Sequence, residues 1–538
     1  MLPLSRIRVA VAPAAAYENR RPLFDMLSSG LAVTFEPHTP GDYGGLQGLI
    51  ALSKDREAVN GAMEHDLSSY QVCSSDPVSF SEQSAIRFTS STLVHRAFRN
   101  KSLADSSLVN FARAPKSSEC LAQVDNQPVW TVERTGSQLH HHVGIDLPLF
   151  TPGDFFHGHF RASRWFAMVP LLHFLRHLFN PDGWKLPEPR ATFIIDDPNL
   201  HRRRYGYIDF ERLVKHAATH NYHATVATVP LDAWYFDREV AALFRAHKQR
   251  LSLMMHGVNH IADELARSYT EEDALELLAA GLRRIAAFES RSGVAVGRIM
   301  AAPHGAFADS IADPMLRLGY EAACVSIGSL VRWNSGKHWP VDLGLSIGQA
   351  LGSRGFPVFH RTGISETDVR LSAFLGHPMI IATHHQDCIS NFARFETLAN
   401  MVNEITTVRW MTIEDISRTN YVSRVENGVL CIRPYTRRLT VPLPRDVVAL
   451  QLQSSAFCPE ITIDLRTHSS NATQATEAHG PFQYSVSNNV MQIFFPPRDP
   501  VDYKQVDPMR LGLWPVARRL LVEVRDRVKP MLSFASAR

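Results

Sequence analysis

The chain lacks the marks of several common chemistries. Its six cysteines (Cys73, Cys120, Cys324, Cys388, Cys431, Cys458) are scattered over 538 residues, and none forms a Cys-x-x-Cys pair. That excludes a disulfide framework and a zinc-ribbon pattern, and it fits a reducing compartment. No window approaches the ~20 consecutive apolar residues of a membrane span. Neither sign of charge dominates: 56 Lys and Arg face 53 Asp and Glu, for a net charge of +3. So even a balance argues against nucleic acid or a membrane as partner. Gly-x-Gly-x-x-Gly is missing after the first expected strand, where Gly44-Gly45 stands alone, so a dinucleotide fingerprint is absent there. Cys73 and Cys388 have no flanking glycines of a nucleophile elbow. The opening Ile7-Arg-Val-Ala-Val-Ala-Pro13 reads as a buried strand rather than a signal peptide, which places the protein in the cytoplasm.

What remains is a globular composition, 45% hydrophobic and 20% charged, long enough for about three domains. Residues 1–185 mix short strands with helical stretches, including a helix over Ala162 to Leu178, and predict an α/β, Rossmann-like domain. The breaker-rich run Asn180 to Pro189 is a linker. Residues 186–420 then alternate strand and helix. Strands are expected at Ala191–Ile195, Ala224–Val229, Leu251–Met255, Arg298–Ala302, Ala322–Ser326 and Met379–Thr383. Repeated strand–helix units imply a mostly parallel sheet with functional residues at strand C-terminal ends. Residues 421–538 carry short alternating strands that predict a β-sandwich, closed by a helix near Pro515 to Val528. Within it, Thr467 to His479 is polar and reads as a mobile loop.

Three of the central strands end in polar clusters. Ala191-Thr-Phe-Ile-Ile-Asp196-Asp197 delivers two adjacent carboxylates, a costly arrangement unless a cation lies nearby. Leu251-Ser-Leu-Met-Met-His256 is followed by His260, and an i, i+4 pair shares one face if the segment is helical. Gly257 stands where a zincin has glutamate, so the His-Glu-x-x-His protease reading fails. Met379 to Thr383 runs into His384, His385 and Asp387. Singly, each cluster is an ordinary strand end meeting solvent. Jointly, in one α/β domain, they point to a metal site. The triple His140-His141-His142 is different, since adjacent strand residues face opposite ways, which argues against one ion common to all three.

The order and content of these motifs resemble the polysaccharide deacetylase family, the NodB-homology carbohydrate esterases, over roughly Ala191 to Trp410. The resemblance implies a deacetylase-like (β/α) barrel, regular or distorted. It implies that Asp197, His256 and His260 hold one divalent metal, Zn²⁺ first and Co²⁺, Ni²⁺ or Mn²⁺ as alternatives. Asp196 would be the general base and His384 the general acid, with His385 its rival. The chain departs from the family at its third motif, where Ala301-Ala302-Pro303-His304-Gly305 keeps Pro and Gly but lacks the arginine that pairs with the base. Arg202, Arg203 and His304 are the expected substitutes. Pro303, His304, Trp234 and His385 are expected to contact substrate. The expected activity is hydrolysis of a C–N amide bond in a small-molecule or oligosaccharide N-acyl substrate. Opening of a cyclic amide or formyl group is an alternative, and a non-catalytic carbohydrate-binding scaffold is another.

Overall fold

The computed structural model describes residues 7–52, 55–73, 78–80, 84–116, 118–178, 183–405, 407–465, 473–477, 480–510 and 512–535. They fall into two compact units, Met1–Gly183 with His338–Ser346, and Trp184–Lys337 with Ile347–Arg538. Among the described residues no helix is long and apolar enough to cross a membrane.

The first unit is built on a nine-stranded mixed sheet. Val33–Pro37, Ile7–Ala12, Gly48–Ala51, Ser68–Val72 and Gln138–Val143 are parallel neighbours in that order, and the remaining strands continue antiparallel through Gln127–Thr135 and Glu119–Val124. His140, His141 and His142 lie in this sheet's core: the Trp130 indole donates to His141 Nδ1 at 3.1 Å, and His140 Nδ1 pairs with the Ser69 hydroxyl at 3.0 Å. The expected helix over Ala162 to Leu178 is shorter, Val169–Leu178.

The main sheet of the second unit has seven parallel strands of four or more residues, β1 (Arg190–Asp196), β2 (Ala224–Thr228), β3 (Leu251–His256), β4 (Val296–Ala301), β5 (Ala322–Val325), β6 (Phe356–His360) and β7 (Met379–His384), and a two-residue strand, Arg409–Trp410, also runs parallel to β1. They are adjacent in the order β6-β5-β4-β3-β2-β1-β7, with an antiparallel strand, Gln349–Leu351, beyond β6. The sheet curls round on itself, and Thr362, just past β6, bridges to Ile381 of β7. Every position of β1 is buried, as a strand covered on both faces requires. The connecting helices start at side-chain caps, Asp209 onto Arg212 N–H, Asp237 onto Val240 N–H and Thr270 onto Asp273 N–H. The longest, Glu271–Ser292, stops at Gly293 in the left-handed conformation, φ +68°.

Each strand sends a residue inward: Ile194, Ala227, Met254, Ile299, Cys324, Phe359 and Ile380 share one core with Ile413 and Ile416 of the short helix Ile413–Arg418. That layer fills the barrel, so polar side chains collect at the C-terminal strand ends. β6 was not among the expected strands.

Downstream, two four-stranded sheets share a buried cluster, with Leu430, Ile432 and Leu450 from one and Leu439, Phe482 and Ile493 from the other. Thr473–Glu477 is a strand paired with Gly480–Ser487 rather than part of a mobile loop; the rest of that expected loop lies outside the described residues, as do residues 180–182 of the expected linker. The last helix, Leu513–Ala535, is longer than the Pro515 to Val528 expected.

Candidate metal centre

β1 and β7 are in register so that Asp196 pairs with His384, and β3 and β4 so that His256 pairs with Ala301. The three polar clusters therefore end at one level of one barrel mouth. Asp197 follows β1 with φ +84°, a conformation rare outside glycine, asparagine and aspartate. Its carboxylate oxygen Oδ1 lies 3.0 Å from His260 Nε2 and 3.8 Å from His256 Nε2.

The segment carrying His256 and His260 is not helical, contrary to the condition set on the i, i+4 pair. After His256 the chain turns through Gly257 at φ +62° and reaches His260 at φ +55°. The turn wraps around the buried Glu264 carboxylate, which accepts the backbone N–H groups of Val258, Asn259 and His260 at 2.8, 2.9 and 2.9 Å. Arg284, on the helix Glu271–Ser292, donates to Asn259 Oδ1 at 2.7 Å and braces the same loop. Gly257 is required here because a Cβ would lie 2.0 Å from Glu264 Oε1. The residue that breaks the zincin pattern thus makes room for the carboxylate that sets His260.

These donors fit a metal. His256 Nδ1 faces the Ala301 carbonyl at 3.0 Å, which fixes its proton on Nδ1 and leaves the Nε2 lone pair toward Asp197. The three ligand atoms all lie within 4.8 Å of one another. Tetrahedral ligands at about 2.0–2.1 Å from an ion sit about 3.3 Å apart, between the two separations seen here. Asp197 Oδ1 is buried and accepts no hydrogen bond from the described residues. Burial pushes the His256 imidazole down to about 4, so it is neutral at pH 7. Burial alone would raise the Asp197 carboxyl, but His260, His256 and Arg519 outweigh it and hold the group far below the usual carboxylate range.

Asp196 sits beside this cluster and accepts from Arg361 Nη2 at 2.8 Å, the carboxylate buried and the guanidinium side chain partly so. Arg361 follows β6 and is the cation paired with Asp196. None of the expected substitutes is that cation: Arg202 is exposed, Arg203 pairs with Glu239, and the His304 ring stands 5.2 Å from the His260 ring. The run Phe356-Pro-Val-Phe-His-Arg361 repeats the apolar-strand-to-polar-end pattern of its neighbours, and that signal could have found it.

The two histidines after β7 separate sharply. His384 has 57% of its side chain exposed, and its Nε2 lies 4.0 Å from Asp196 Oδ2. His385 is 1% exposed, walled by Tyr205 and Tyr207, with Nε2 3.6 Å from Asp526 Oδ2. The Asp387 carboxylate accepts the His384 backbone N–H at 2.9 Å and an Arg394 bond at 2.5 Å, while the Asp387 backbone N–H meets the His384 side chain in return. Trp234 is 60% exposed on the loop after β2, and its carbonyl accepts from Arg291 at 2.7 Å. Pro303 is buried and lines the Gly257 turn.

The C-terminal helix carries site residues that the sequence reading missed. Arg519 donates to both oxygens of Asp232, at 2.5 Å from Nη2, and its Nη1 lies 3.7 Å from Asp197 Oδ1. Arg518 donates to the His260 carbonyl at 2.5 Å. Glu523 lies 3.0 Å from His201 Nδ1, and Asp526 accepts from the Tyr205 hydroxyl at 3.1 Å. A cavity of about 550 Å³ beside the helix is lined by Trp234, Asp232, Arg291, Arg519 and Glu523 among others.

A second group able to hold an ion, His216, His220 and Glu396, lies on the surface, where His216 Nδ1 already meets the Tyr222 hydroxyl at 3.0 Å. Gly344-Leu-Ser-Ile-Gly348 spells the nucleophile-elbow motif, but no strand leads into Ser346 and no helix follows it; the chain continues into the strand Gln349–Leu351, and the Ser346 hydroxyl donates to Asp342.

No family model matches this chain, and no curated protein does. Solved structures do overlap it. A family 4 carbohydrate esterase from Streptomyces lividans in complex with acetate is 10% identical over 42% of this chain and 94% of its own, at a TM-score of 0.26. Peptidoglycan deacetylase from Bacillus subtilis is 12% identical over 43% and 90%, at 0.25. A CE4 family pseudoenzyme from Bacillus anthracis, in a mutant with restored enzymatic activity, is 13% identical over 43% and 67%, at 0.26.

Proposed function

We propose that the barrel is a divergent, metal-dependent deacetylase that hydrolyses the amide C–N bond of an N-acyl amino sugar or a related N-acyl compound. One observation carries the reading: Asp197, His256 and His260 converge on one point, with the arginine-paired Asp196 on one side and the accessible His384 beyond it. Asp197, His256 and His260 would hold one divalent ion, Zn²⁺ first, which supplies Lewis-acid polarisation of the acyl carbonyl and an acidified water.

The chain's own residues do the rest. Asp196, oriented by Arg361, takes the proton of the attacking water. His384, at the open side of the mouth, hands a proton to the leaving nitrogen, because an amide anion departs poorly. Arg361 is a positioning residue, since it reaches the reaction only through Asp196. Trp234 offers its exposed ring as a stacking face for a sugar, and His304 borders the acyl end of the site. The buried His385 acts through Asp526 rather than on substrate.

The Asp196–Arg361 pair supports this reading over a non-catalytic scaffold, the alternative that the absent arginine favoured. With all six cysteines unpaired, we place the chain in the cytoplasm; an exported form with a processed N-terminus would contradict this. The test of function is elemental analysis of wild type and Asp197→Ala, followed by acetate, formate and ammonia release from an N-acyl panel. One ion per chain, lost in the variant, with acetate released only by wild type, supports the deacetylase. Formate or ammonia instead would redirect it to another C–N bond, and no metal after reconstitution would overturn it.

A further inference from the structure

The C-terminal helix is inside out. At 100° per residue, Arg519, Glu523 and Asp526 fall on one side, where they bond to the barrel. Leu513, Trp514, Leu521, Val524 and Val528 fall within one arc on the opposite side. They are 89%, 68%, 64%, 59% and 41% exposed. A helix packed on a soluble body normally buries its apolar stripe. Here the charges point inward, and five large apolar side chains form a continuous outer stripe. Such a stripe marks an interaction surface rather than ordinary scattered exposure.

The border of the stripe indicates what covers it. Both acidic side chains of the described helix, Glu523 and Asp526, are turned to the barrel. The exposed side chains of Lys529 and of Arg525, which is 55% open although its Nε meets Asp526 at 2.8 Å, lie along one edge of the stripe, and Trp514 stands at its start. An apolar face with a cationic edge and a terminal tryptophan is the pattern of a helix lying in a lipid headgroup layer. A second copy is less suited, because antiparallel packing of two such stripes sets each cationic edge against its own twin.

We propose that Leu513–Ala535 docks the chain on an anionic membrane surface, with the stripe among the acyl chains and the cations on the headgroups. Neither the near-zero net charge nor the lack of a membrane-spanning helix hints at this, since the signal is local to one helix. Docking would hold the barrel mouth, to which the helix is bonded, next to the lipid surface.

The experiment is flotation of the full chain with phosphatidylcholine vesicles, with and without phosphatidylglycerol. Wild type should bind the phosphatidylglycerol vesicles at least about tenfold more tightly, and added salt should weaken this. The double variant Leu521→Glu/Val524→Glu should stop floating and keep its metal content. Should that variant misfold, wild-type Trp514 fluorescence should still shift to the blue on phosphatidylglycerol vesicles, a shift absent from Trp514→Phe. No flotation of folded wild type, equal flotation of the variant, or a wild-type dimer dissolved by the variant without vesicle binding would each overturn the proposal. The assay needs neither substrate nor turnover, so it fails or succeeds apart from the hydrolase reading.

Discussion

Replacing Arg519 with methionine should release the C-terminal helix without unfolding the barrel. Arg519 and Asp232 are 3% and 6% exposed, and the guanidinium meets both carboxylate oxygens. With charge centres about 4 Å apart and an effective dielectric near 20, their attraction is about 4 kcal/mol. Removing one partner of such a pair costs about 3–5 kcal/mol, because the other charge stays buried and alone. At 1.4 kcal/mol per tenfold, the opening equilibrium of the helix should rise roughly 10³-fold. Native-state hydrogen exchange read by mass spectrometry on peptides from 513–529 measures this directly. Methionine keeps much of the side-chain volume, so packing loss is a minor share. The double variant Arg519→Met/Asp232→Leu should recover at least tenfold of the lost protection, since no charge is then stranded. If exchange in Arg519→Met stays within tenfold of wild type while β-strand amides are unchanged, the pair does not hold the helix and the reasoning is wrong.

Three further outcomes are expected. Gly257→Ala should weaken metal binding at least about tenfold and lower the unfolding temperature by at least about 3 °C, measured by metal titration and calorimetry, because φ +62° and a Cβ 2.0 Å from Glu264 Oε1 both oppose it. His384→Gln should cut kcat about 10²–10⁴-fold with metal content unchanged, whereas His385→Gln should chiefly speed exchange in the C-terminal helix; the opposite assignment in steady-state kinetics would reverse their roles. His223 is fully buried, and burial brings its imidazole down from 6.5 to about 4. Its folded value is the lower one, so its contribution to stability is intact above pH 6.5 and is lost as pH falls toward 4. At pH 5 the loss is about 2 kcal/mol. His223→Gln should therefore narrow the gap in denaturant stability between pH 7 and pH 5 by about that amount, and an unchanged gap would refute it.

The barrel was legible because its strands are short apolar runs closed by polar residues, and six of seven stood out that way. The candidate ligands were legible for the same reason, since Asp197 and His256 stand at the ends of two such runs and His260 follows four residues on. β6 was missed, and with it Arg361, because Phe356–His360 begins beside Gly355 and carries a proline, which argues against a central strand. Long-range partners were illegible in principle. Arg519 sits 322 residues from Asp197 in the sequence, and no local pattern links an arginine on a late helix to a carboxylate at a strand end. The Glu264 turn was hidden by a rival geometry, because the His256–His260 spacing suits a helix as well as a loop. Only the backbone, with its two left-handed residues, decides between them.

The bonding of the last helix to the barrel mouth also sets an order of events during synthesis. β7 ends at His384, and Arg519 follows 135 residues later. At about 5–20 residues per second, a ribosome needs roughly 7–27 s to cover that distance. For that interval all seven strands and the three candidate ligands exist while the helix bonded to their loops is still unmade. The nascent barrel is thus open to ions before that helix joins it, and a chain arrested near residue 500 should already bind metal.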